Sequence, residues 1–105
     1  MGFLNIFKPK TGPRTMLLDL IKHNAEIIQQ KEGKTQTDAE YLAICLIIDD
    51  LSNRPNGAEG YRTMMEILQS DYSRHLNDVI TYLGWQSGKL HLNVEAEKML
   101  RERHA

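Results

Sequence analysis

The chain has 105 residues, 41% of them hydrophobic and 26% charged, with a net charge of −1. This is the size and composition of one globular domain with a real core. Near-neutrality argues against general attraction to nucleic acid or anionic membranes. A single cysteine, Cys45, excludes an intramolecular disulfide and a cysteine-based zinc site. Charge is uneven along the chain: residues 1–34 carry six Lys/Arg against three acids, 35–56 one against four, and 57–105 six against seven. We read this as solvated faces rather than a steering field.

The chain opens Met-Gly-Phe-Leu-Asn-Ile-Phe-Lys-Pro-Lys. Gly2 suggests myristoylation, but that motif needs Ser or Thr where this chain has Ile6. The apolar part of residues 2–7 is too short for a signal peptide, and no run approaches the ~18 residues of a transmembrane helix, which leaves the cytoplasm as the expected compartment. Phe3, Leu4, Ile6 and Phe7, followed by Lys8 and Lys10, form a candidate partner-binding arm. The simplest expectation is an arm folded back on its own core. Peripheral contact with a membrane surface is the weaker alternative. Pro9, Gly12 and Pro13 break the chain, so residues 1–12 read as arm and linker and 13–105 as one helical domain.

A first helix is expected over 13–32, with Pro13 in its first turn and Gly33 as its stop. Leu17, Leu18, Ile21, Ala25 and Ile28 form its apolar stripe, widened by Leu20 and Ile27. Next comes the longest apolar run of the chain, Tyr41 to Ile48. Thr37 and Glu40 have the spacing of a capping box, which predicts a central helix over 37–53, apolar all round and therefore covered all round. Pro55-Asn56-Gly57 signals a turn in which Asn and Gly accept positive φ. From Ala58 the positions Tyr61, Met64, Met65, Leu68, Tyr72, Leu76, Val79, Ile80 and Leu83 keep helical phase, predicting one helix over 58–83, ~39 Å long at 1.5 Å per residue, stopped by Gly84. A break at Ser70-Asp71 is the alternative, since Ser70 can cap a new helix. Residues 85–92 alternate and suggest a short extended or hairpin segment anchored by Trp85. Asn93 can cap a last helix over 94–103. The expected fold is all-α, a bundle of about four helices.

Candidate sites compete with simpler readings. Asp49-Asp50-Leu51-Ser52-Asn53 has the outline of an Asp-rich diphosphate–magnesium motif, but a second acidic motif is missing and the chain is too short for the cavity such chemistry needs. Asp71, His75 and Asp78, and likewise Asp19, His23 and Glu26, have helical metal-ligand spacing; surface charge pairs explain both more cheaply. Cys45 lies within the apolar run, where a thiol behaves as a small hydrophobe. There is no Gly-x-Ser-x-Gly, no Gly-rich phosphate loop and no Cys–His pair, so no catalytic, cofactor or metal residue is assigned. Read with a break at Ser70, the C-terminal half runs helix, turn, helix, small hairpin, helix. That order resembles a winged-helix module, with Ser73-Arg74-His75-Leu76 opening a groove-reading helix. Asp71 and Asp78 on that helix, and the lack of a basic excess, oppose nucleic-acid binding. The expected role is therefore a protein-interaction or regulatory module. Self-association is suggested by the apolar arm and by a third helix too long for its neighbours to cover.

Overall fold

Pro13 in the first turn and Gly33 just past the end bound the first helix, α1 (Pro13–Glu32), as the sequence predicts. The structure is a computed structural model that describes residues 12–86 and 94–104. Gly33 adopts φ 67°, a left-handed conformation that costs glycine little, and its N–H closes the helix on the Gln29 carbonyl at 3.0 Å. Leu17, Ile21 and Ala25 are buried along the predicted stripe. Leu18 and Ile28 pack beside them.

The central helix, α2 (Gln36–Ser52), starts one residue earlier than expected and from a different cap. Thr35 is the N-cap, and its hydroxyl accepts the Asp38 N–H at 3.1 Å. The capping box on Thr37 and Glu40 does not form, because Glu40 is turned into the core. Every residue from Ala39 to Ile48 is buried except Leu46. The all-apolar run is thus a core helix, covered on all sides but one.

Residues 53–57 turn the chain toward α3 (Ala58–Leu68). Gly57 is needed for a different reason from the one its sequence suggests. Its φ is −84°, and no positive φ occurs in the turn. Instead its backbone lies under the end of α2: a Cβ there would sit 1.9 Å from the Leu51 carbonyl oxygen and 2.8 Å from its carbon. Only glycine fits that approach.

The single helix expected over 58–83 is broken. After α3 comes a turn at Gln69–Tyr72, a 3-10 turn at Ser73–His75, and α4 (Leu76–Gln86). The break is made by local hydrogen bonds. The Gln69 N–H is shared by the Met65 and Glu66 carbonyls, the Ser70 hydroxyl donates back to the Glu66 carbonyl at 2.9 Å, and the Tyr72 N–H reaches the Ile67 carbonyl at 3.0 Å. Helical phase survives the break because Met64, Ile67 and Leu68 before it and Val79 and Tyr82 after it enter the same core. Each half is 11 residues, ~16 Å long at 1.5 Å per residue, so the argument for self-association from an overlong third helix falls away. Helix α4 also runs through Gly84, which is exposed with open space around it, and carries Trp85 against the core.

The last element, α5 (Glu95–His104), packs on α2 and α4, burying Ala96 and Leu100. The chain is all-α, and there is no strand among the described residues. Trp85 and Gln86 belong to α4 rather than to an extended segment. The rest of the expected hairpin, and the Asn93 cap, lie outside the described residues, as does the arm 1–11. Residues 96–103 of α5 have φ between 45° and 61°, in the left-handed region of backbone space.

Two substitutions read these features. Gly57→Ala is expected to lower the thermal midpoint far more than Gly33→Ala, whose cost is ~1 kcal/mol, or ~4–8 °C in Tm; equal shifts would mean that the α2–α3 backbone contact is not tight.

Candidate functional site

The turn between α3 and α4 delivers two basic side chains to a carboxylate on α2. Glu40 is 5% exposed and His75 1%. Glu40 Oε1 accepts from Arg74 Nη2 at 2.6 Å and lies 3.0 Å from His75 Nε2, while Oε2 accepts from Gln36 Nε2 at 3.0 Å. A carboxylate can only accept, so His75 carries a proton on Nε2. Tyr72 stacks on His75 with ring centroids 6.2 Å apart, and the Arg74 guanidinium lies 5.2 Å from the Tyr72 ring centre. Burial alone would raise the Glu40 pKa, but hydrogen bonds from His75, Gln36 and Arg74, with the charge of Arg74, outweigh it and hold the carboxyl below its ordinary 4.5. The ensemble closes a buried charge. Nε2 of His75 is committed to Glu40, and the imidazole is shut away from solvent.

The metal-ligand spacing at Asp71, His75 and Asp78 is therefore dispersed: Asp71 pairs with Arg14 of α1, His75 with Glu40, and Asp78 with Arg103. His23 and Asp19 are exposed on α1. Asp50 is exposed and paired with Arg54 at 2.7 Å one turn on, the solvated helix end that its position suggests. Asp49 differs. It is half-buried and accepts from the Tyr82 hydroxyl at 2.7 Å, so it ties α2 to α4. Burial, and then this hydrogen bond to a carboxylate, push the Tyr82 hydroxyl pKa up. Burial likewise pushes the Cys45 thiol up, against the pull of the Tyr41 hydroxyl, which suits a thiol that packs rather than reacts. No cluster of three or more metal-ligating side chains occurs among the described residues.

The second feature is a groove of about 630 Å³ open to solvent. One wall is α1, through Leu17, Leu20 and Asn24. The other is the C-terminal half of α2, through Leu46, Ile47, Asp50, Leu51 and Arg54. Pro55, Asn56, Gly57 and Gly60 close its end. The N-terminal half of α1 thus lies beside the C-terminal half of α2, an antiparallel pair joined by the three residues 33–35. Leu20 is 44% exposed and Leu46 45%. Met16, one turn before Leu20, is exposed as well. The groove is where the cover of α2 is incomplete.

Of the partner-binding residues expected from sequence, Phe3, Leu4, Ile6 and Phe7 all lie outside the described residues. Sequence reasoning missed the Glu40–His75 pair, having placed Glu40 in a cap and His75 in a surface pair. A signal was present: Glu40 lies four residues before Ile44 and eight before Ile48, on a core-facing stripe. The exposure of Leu46 had no such signal, since it sits inside an unbroken apolar run. Among the described residues no helix is long and apolar enough to cross a membrane.

Glu40 gives a pH-dependent prediction. Its folded pKa is depressed, so its contribution to stability is complete above about pH 4.5 and is lost as pH falls through the folded value. Urea midpoints should fall between pH 7 and pH 3, and by less in Glu40→Gln. Glu40→Ala leaves the buried His75 N–H without its acceptor and is expected to cost ~1–3 kcal/mol at pH 7. A cost below ~1 kcal/mol would show that the pair is not buried in solution. Comparison of the chain with protein-family models, with curated proteins and with solved structures finds no match in any of the three.

Proposed function

We propose that this protein is a binding module, not an enzyme, and that it takes an apolar polypeptide segment into the groove between α1 and α2. The single observation that carries this reading is Leu46. It is the one position of the buried run Ala39–Ile48 left open to solvent, and it faces a groove that Leu20 also lines. A helix that is apolar all round is stable in water only when covered all round. An apolar groove with a polar rim, here Asn24 and the Asp50–Arg54 pair, is the usual form of a surface that receives side chains from another polypeptide.

Nucleic-acid binding has less support. Arg74 and His75, the groove readers of a winged-helix arrangement, are both engaged with Glu40. The net charge of −1 supplies no electrostatic affinity.

A selection of random displayed peptides on the full chain tests the proposal. The expected outcome is enrichment of sequences with two or three large apolar residues at i, i+3 or i+4 spacing. Their binding should be lost in Leu46→Asp and weakened in Leu20→Asp, both half-exposed positions where the substitution leaves the circular dichroism spectrum unchanged. Enriched peptides indifferent to both substitutions would overturn it, as would no enrichment both on the full chain and on a chain whose Phe3, Leu4, Ile6 and Phe7 are all replaced by Ser.

A further inference from the structure

The groove begins where the described chain begins. Gly12 stands at the foot of α1, and Leu17 and Leu20 lie ~7 and ~12 Å along the helix from it at 1.5 Å per residue. Eleven residues precede Gly12, and they hold Phe3, Leu4, Ile6 and Phe7. Phe3 and Phe7 stand four positions apart, and Phe3 and Ile6, like Leu4 and Phe7, three apart, the spacings at which apolar anchors of a groove-bound segment recur. Between Phe7 and α1 lie five residues, Lys8 to Gly12, which span up to ~17 Å when extended and suffice to reverse the chain. Phe7 can therefore reach Leu20 and Leu46 without disturbing α1.

We propose that the resident occupant of the α1–α2 groove is this chain's own N-terminal arm, docked in cis through Phe3, Leu4, Ile6 and Phe7. The inference rests on the groove being a binding surface, and it adds a regulation: an outside segment must displace the arm to enter. A tether of five residues gives an effective concentration in the mM range, so at ordinary protein concentrations the arm of the same chain outcompetes that of a second copy. The energy at stake is the burial of large apolar side chains, each ~1.5–3 kcal/mol when complete.

The test uses the full chain with a nitroxide on Asn5→Cys. Wild type, whose only thiol is the buried Cys45, serves as the labelling blank. Methyl signals of Leu20, Leu46 and Leu51 are expected to lose most of their intensity relative to the reduced label. The Leu20 and Leu51 signals should regain it when Leu46→Asp is introduced into the labelled chain. In a mixture of labelled chain and isotope-enriched chain without nitroxide, the enriched signals should stay sharp. Broadening confined to the residues next to Gly12 overturns the proposal, as does broadening in the mixed sample, which would place a second copy's arm in the groove. Should the arm stay away while selected peptides still require Leu46, the arm inference fails alone and the binding reading stands.

Discussion

A carboxylate buried in the wall of the central helix sets the course of the chain that packs against it. Glu40 precedes the apolar run directly, on its core-facing side, and an ionised group there is tolerated only when paired and hydrogen-bonded. The nearest residues of α2 supply one donor, Gln36. The others must come from elsewhere in the chain, and Arg74 and His75 bring them. Both stand where the helical stretch after Gly57 is interrupted: it stops at Leu68, turns through Ser70 and Tyr72, and restarts at Leu76. The break, made by local hydrogen bonds of Gln69, Ser70 and Tyr72, divides the predicted third helix into two.

The same central helix explains where the surface is unfinished. α1, α3, α4 and α5 all pack on α2, yet the side carrying Leu46 meets only the upper flank of α1. Gly57 brings the start of α3 close under Leu51, which closes the end of the groove without filling it. Asp49, tied to Tyr82, holds the neighbouring side of α2 against α4. The chain therefore has one face of its core helix pinned by polar contacts and another left for something apolar to cover.

Much of the fold was legible in the residues. Pro13 and Gly33 bound α1 for reasons of backbone geometry alone, and the run Tyr41–Ile48 has no stable place except a core. Pro55-Asn56-Gly57 marks a turn, although its glycine serves close packing rather than positive φ. The cap of α2 misled because Thr35-x-x-Asp38 and Thr37-x-x-Glu40 satisfy nearly the same pattern, and only the demand for a buried partner to His75 chooses between them. The break at 69–75 was hidden because two short helices facing one core keep the hydrophobic phase of a single long one.

The sequence by itself determined that this is an all-α domain with a central apolar helix, since periodicity, helix stops and turn residues act through neighbours a few positions apart. Tertiary structure alone decided that Glu40 pairs with His75 across 35 positions, that Gly57 must lack a side chain, and that Leu46 is the uncovered position. Each of these depends on which distant segment lies alongside. No local spacing encodes that, because burial and charge pairing are properties of the space between elements rather than of any element alone.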